Sequence, residues 1–306
     1  MSLLSILFFI DDCIKHPFVN CFKHKELTEI KNVVYDDENP DTGKLDIIYD
    51  EALRGKFTEG RFPVFFEIHG GGWIAGDKKF RRGYCQHMAG EGAFTVNVNY
   101  GLGPKWQFPD FMKQIYKALK WVVDNAEKYG LDLDKFVISG DSAGGHLSLV
   151  TINCQELPLY REHLGLPEIP EIKIKGAILN CPAINFEGKV INLPVVRTMT
   201  HHCTGVKHYK KLRAEYEFYE ELQAFKGVNE NFPKLFLVNG IQDVFCNPGA
   251  KELRAALDKL GIEYERYMAY DPFNSFHCFN LKTWMPQARH AMKKEKEFLN
   301  KVYREN

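Results

Sequence analysis

The stretch ISGDSAGGHL, residues 138–147, decides how the rest of the chain is read. One serine, Ser142, stands among residues with almost no side chain: Gly140, Ala143, Gly144 and Gly145. The residues before it, KFVISG (135–140), form a short β-rich run, and those after it, AGGHLSLVTINC (143–154), begin a helical pattern. Ser142 therefore sits on a predicted strand–turn–helix junction. Gly140-Asp141-Ser142-Ala143-Gly144 fits the G-x-S-x-G pattern, in which glycines let the backbone bend sharply enough to present a serine as nucleophile. Taken alone, the pattern also fits a tight turn without chemistry. Asp141 either positions the site or only begins the turn.

A second glycine cluster lies upstream. EIHGGGWIAGD, residues 67–77, closes another predicted strand, PVFFEIH (63–69). Its three consecutive glycines leave backbone N–H groups unshielded, which suits them to stabilise a developing oxyanion. His69 is read as holding this loop by hydrogen bonds. A serine nucleophile also needs a base and an acid. His277 follows the predicted strand EYERYMAY (263–270), and Asp243 follows KLFLVNG (234–240). Both thus fall at the carboxyl edge of the sheet, where the two glycine motifs emerge. The order Ser142, Asp243, His277 is that of an α/β-hydrolase triad. Asp271 competes for the acid position, but beside Pro272 on the loop carrying His277 it reads better as a turn former.

Around these motifs, β-rich runs alternate with helical patterns, the signature of a mainly parallel sheet covered on both faces. Eight strands are expected: 29–35, 44–50, 63–69, 94–100, 135–140, 175–181, 234–240 and 263–270, the first two as an antiparallel edge. Helices are expected at 108–129, stopped by Gly130, and at about 143–156, 248–260 and 285–303. Pro182 to Phe232 is too long for a simple crossover, so it is read as a lid with a helix near 207–225. At the N-terminus, Leu3, Leu7, Ile10 and Ile14 follow helical spacing up to Pro17, predicting a short amphipathic helix packed on the body. This run lacks a basic leader region and is shorter than the roughly 20 residues of a membrane span; a weak export signal is the alternative. The whole is one domain over residues 1–306, capped by about 1–28 and about 182–232.

Composition narrows the partners. The 306 residues are 45% hydrophobic and 13% aromatic, enough for a sizeable core. Forty basic residues balance forty acidic ones, so no net field favours nucleic acid or an anionic membrane. A small neutral molecule fits better, and a homodimer is compatible. Eight cysteines without CxxC pairs point to free thiols in a reducing, cytoplasmic setting. Metal readings are thin: Cys246 and Cys278 with His277 would consume the base, and THHC (200–203) is a bare His/Cys tract. Phe8, Phe9, Phe18 and Phe22 supply apolar surface for an acyl pocket, and no lipid-binding surface is evident.

The HGGGW and GDSAGG motifs, with an aspartate and a histidine after the last two strands, resemble the hormone-sensitive-lipase-like branch of α/β-hydrolase esterases. The resemblance runs from about Pro63 to the C-terminus and includes VNYGLGPKWQFPD, similar to the family's N-Y-R-L-A-P segment, with Gly101 and Gly103 in place of its arginine and alanine. Asn247 stands where the family has a second acid. By this resemblance Gly71, Gly72 and Ala143 correspond to the oxyanion-hole amides, no metal or organic cofactor is required, and a helical cap is expected. HGGGW followed by GDK also resembles acetyl-type esterases and aryl-formamidases. The expected function is a serine carboxylesterase for short-chain acyl esters. Arylformamide or amide hydrolysis on the same triad, and a non-catalytic small-ligand binding protein, are the alternatives.

Overall fold

The computed structural model describes residues 3–20, 26–187 and 190–305. Eight strands form one sheet: β1 (Thr28–Val34), β2 (Lys44–Tyr49), β3 (Phe62–Ile68), β4 (Phe94–Val98), β5 (Leu131–Asp141), β6 (Ile174–Asn180), β7 (Lys234–Gly240) and β8 (Tyr264–Ala269). Their order is β1-β2-β4-β3-β5-β6-β7-β8. β1 with β2 and β2 with β4 are antiparallel, and every other pair is parallel. This is the α/β-hydrolase fold, with the antiparallel edge where the sequence put it.

The central strands are largely apolar because both of their faces are covered, though buried Glu67, Thr95 and Asn97 interrupt β3 and β4. Every residue of β3 and β4 is buried. Alternate side chains enter opposite layers. Phe66, Ile138, Leu179 and Leu237 meet helices α3 (Asp110–Asp124) and α4 (Ala143–Glu156), while Phe65, Val137, Ile178 and Phe236 meet α2 (Arg82–Ala89) and α7 (Pro286–Arg304). Two further helices complete the longer elements among the described residues apart from the N-terminal one: α5 (Pro194–Thr204) and α6 (Asn247–Leu260).

Three expectations change. The N-terminal helix, α1 (Leu3–Val19), forms, but Pro17 lies inside it. Proline's fixed φ is itself helical, and the last turn closes through Asn20 N–H donating to His16 O at 3.2 Å. The stripe Leu3, Leu7, Ile10 and Ile14 faces outward, with Leu3 74% exposed, while Ser5 is buried and Leu4, Phe8 and Asp12 are half-buried. Spacing identified the helix but not which side met the body. An exposed apolar face is therefore present where none was expected.

In the 182–232 segment, the regular helix is α5, begun by Pro194 in its first turn and ended by Gly205 at φ 77°. The expected helix near 207–225 is broken into short turns, Tyr209–Lys211, Leu212–Glu215, Tyr219–Leu222 and Ala224–Gly227. Tertiary contacts override propensity there: Leu212, Tyr219 and Leu222 are buried, and Tyr216 Oη–H donates to Phe108 O at 2.6 Å. The predicted 108–129 helix also splits at Asn125, leaving a short turn, Ala126–Tyr129, before Gly130 at φ 64°.

The consequence for function is positional. The segments leaving β3, β5, β6, β7 and β8 at their carboxyl ends carry the HGGG loop, Ser142, Cys181, Asp243 and His277. No helix among the described residues is long and apolar enough to cross a membrane.

Candidate active site

Ser142 has φ 52° and ψ −116°, a strained conformation for a residue with a side chain. Its amide donates to Asn180 O (2.9 Å), and its carbonyl accepts from Ala183 N–H (3.0 Å), so the ends of β5 and β6 hold the turn between them. The flanking glycines are required by space. A Cβ at Gly144 would collide with the Ile68 carbonyl, and one at Gly140 with the Gly144 backbone.

The turn aims Ser142 at a histidine. Ser142 Oγ lies 2.8 Å from His277 Nε2, and His277 Nδ1 lies 2.8 Å from Asp243 Oδ2. With the Nδ1 proton directed to the carboxylate, Nε2 accepts from the serine hydroxyl. Asp243 is fully buried, and its other oxygen accepts from the Phe245 (3.1 Å) and Cys246 (3.0 Å) amides. The acid is thus clamped before it meets the ring. Burial opposes a charged His277, but the neighbouring Cys278 and Cys246 sulfurs and the bond to Asp243 outweigh it and raise its pKa above the ordinary value.

Gly71 and Gly72 have φ 127° and 61°. A Cβ at Gly71 would strike the Ala75 carbonyl, and one at Gly72 would strike Met199 of α5. Among the described residues nothing accepts from the Gly71, Gly72 or Ala143 amides, which are the three expected donors. His69 holds the loop as expected: Nδ1 donates to Gly70 O (2.7 Å), the ring stacks on Tyr100 at 4.5 Å, and its carbonyl accepts from Tyr100 Oη–H (2.9 Å). Burial lowers its pKa, so the ring stays neutral.

Asp141 does more than begin a turn. It is buried, it accepts from Gly70 N–H at 2.9 Å, and it forms a two-point ion pair with buried Arg81, whose second nitrogen stands 2.6 Å away. Despite burial, Arg81 and the Gly70 amide hold the Asp141 pKa below its ordinary value. One carboxylate therefore ties the serine turn to the glycine loop. Sequence reading missed Arg81, because the pair Arg81-Arg82 in KFRRGYC carries no pattern to distinguish it from surface charge.

The remaining candidates resolve locally. Asp271 is a turn former, accepting from Phe273 N–H (2.8 Å) and Asn274 Nδ2 (3.0 Å). Asn247 donates to Gly240 O at 2.9 Å, a bond that a carboxylate there could not make. Gly101 leaves room for the Trp106 ring, and Gly103 donates to Trp73 O (2.8 Å), joining that segment to the glycine loop. The histidines and cysteine of THHC bring no metal-ligand cluster together among the described residues. All seven cysteines described are free.

Ser142 and His277 open into a cavity of about 330 Å³, walled by Phe8, Trp73, Phe186, Val196 and Met199. Phe18 instead lies 55% exposed against Trp284, and Phe22 and the Phe9 side chain fall outside the described residues. A larger open depression, about 990 Å³, borders α7 among Lys, Arg and Glu side chains and contains none of these groups.

Fold and serine turn together define an α/β-hydrolase. A family model described as BD-FAE matches residues 46–255, more than half of the chain, and the chain belongs to that family. It is 31% identical over 128 residues to the putative alpha/beta hydrolase R526 of Acanthamoeba polyphaga mimivirus, covering 42% of this chain and 35% of that protein. It is 37% identical over 119 residues to the versiconal hemiacetal acetate esterase of Dothistroma septosporum, covering 38% and 36%. The chain thus spans about a third of the length of these relatives. The structure of esterase B from Lactobacillus rhamnosis superposes with a TM-score of 0.82 at 19% identity, over 98% of this chain and 97% of that one.

Replacing Arg81 with Met leaves the Asp141 charge buried without its partner, and we expect a loss of about 3–5 kcal/mol in urea unfolding. A loss below about 1 kcal/mol would show that the pair holds nothing in place.

Proposed function

We propose that this protein is a serine carboxylesterase acting on short-chain acyl esters, acetyl to roughly hexanoyl. The observation that carries the reading is the unbroken hydrogen-bonded relay Asp243–His277–Ser142, opening into a mainly apolar cavity beside two glycine amides. His277 takes the hydroxyl proton as Ser142 Oγ attacks the ester carbonyl, and Asp243 orients and stabilises the imidazolium. The Gly71, Gly72 and Ala143 amides receive the oxyanion; one such donor is typically worth on the order of 100- to 1,000-fold in kcat. The alcohol leaves with the proton from His277, and water repeats the attack on the acyl-enzyme.

The walls support the acyl limit. The cavity is near the small end of the roughly 300–1,000 Å³ usual for ligand sites, and Met199 and Phe8 close over Gly72. These two side chains come from α1 and α5, so we assign the cap to about 1–28 and about 182–232. A relative named for an acetate ester supports the same substrate class.

We expect p-nitrophenyl acetate and butyrate to be hydrolysed with higher kcat/KM than the laurate, and Ser142→Ala to lose at least about 10⁴-fold in kcat. A preference for the laurate would refute the acyl limit. Faster turnover of an arylformamide than of any of these esters would favour the amide reading.

His277 must be neutral to act as base. Because its pKa is raised, kcat/KM should fall as pH decreases, with the midpoint above the roughly 6.5 of an ordinary histidine. A midpoint at or below that value would contradict the environment described for the ring.

A further inference from the structure

Three thiols crowd the ring of His277. Cys181 follows β6 and is fully buried, Cys278 directly follows His277 and is partly open, and Cys246 precedes α6. Cys278 N–H donates to Cys181 Sγ at 3.3 Å. The ligand atoms of Cys181, His277 and Cys278 all lie within 4.8 Å of one another. Both of these cysteines have left-handed backbone, φ 48° and 52°, which non-glycine residues seldom adopt. The two strained turns bring both sulfurs within 4.8 Å of a nitrogen of one imidazole.

We propose that Cys181, His277 and Cys278 form an inhibitory binding site for a soft divalent cation of the zinc type. Two sulfurs and an imidazole nitrogen are the donors Zn²⁺ prefers, and a tetrahedral ion with Zn–S bonds of about 2.3 Å sets its sulfurs about 3.8 Å apart, so only a small contraction is required. Binding forms two Zn–S bonds and one Zn–N bond, releases the two thiol protons to solvent, and leaves a fourth position for water. Cys278 borders the cavity, which gives the ion its entry. A second group, Asp243, Cys246 and His277, is also close enough, but it offers one sulfur, and its carboxylate already accepts from two amides.

Inhibition follows from the valence of the ring. His277 Nε2 serves Ser142 and Nδ1 serves Asp243, so an ion on either nitrogen breaks the relay. This consequence rests on the proposed esterase mechanism, whereas binding does not.

The test separates the two. Reduced protein is titrated with Co²⁺ under anaerobic conditions, and thiolate-to-cobalt charge-transfer absorption in the near ultraviolet is read. We expect the band in the unmodified protein and in Cys246→Ser, and more than about tenfold weaker binding in Cys181→Ser and in Cys278→Ser. Circular dichroism checks folding, and either of the last two variants suffices if the other does not fold. In parallel, Zn²⁺ should suppress ester hydrolysis, EDTA should restore it, and Cys181→Ser should need more than about tenfold more Zn²⁺ for the same fractional suppression of its own hydrolysis. No band, a band unchanged in both single variants, a band lost in Cys246→Ser, or Zn²⁺ inhibition undiminished in Cys181→Ser would overturn the site. A protein that binds Co²⁺ as expected but hydrolyses no ester would leave the site standing and remove the esterase reading.

Discussion

Holding Ser142 at φ 52° is the constraint from which the rest of the site follows. Such a conformation costs on the order of 1–3 kcal/mol and persists only when its surroundings over-determine it. Here the neighbouring strand supplies an acceptor and the segment after it a donor, while glycines on both sides let backbone pack against backbone. The bend brings the hydroxyl within 2.8 Å of His277 Nε2, and α4 begins at the next residue, Ala143. The proposed nucleophile and one proposed oxyanion donor thus come from one turn.

The loop with the other two proposed donors is held by charge. Asp141 joins the serine turn to the HGGG loop through the Gly70 amide, and Arg81 keeps that carboxylate ionised in a buried setting. Two loops far apart in sequence are fixed to each other without using any atom of the relay. Buried ion pairs add little net stability over apolar packing. The value of this one lies in placing backbone amides relative to Ser142, where errors of an ångström are costly in rate.

Much of this was legible in the sequence. Eight strands, the antiparallel edge and the meeting of Ser142, Asp243 and His277 follow from apolar runs, glycine motifs and chain order, because strand ends and tight turns leave local signatures. What stayed hidden depends on contacts distant in sequence. The outward face of α1 could not be read from Leu3, Leu7, Ile10 and Ile14, since spacing reports a stripe and not its partner. The broken 207–225 segment follows buried aromatic anchors, not propensity. Arg81 and Cys181 reach the site from segments with no motif at all, so only their placement reveals them.

The central claim is that Ser142 is the nucleophile because its backbone and His277 make it one. The most direct measurement is to react the purified protein with a fluorophosphonate and locate the adduct by tandem mass spectrometry. The account predicts a single adduct on Ser142 Oγ, formed with loss of fluoride and abolished by replacing His277 with alanine. An adduct on another residue, or labelling of Ser142 at an unchanged rate without His277, would contradict it.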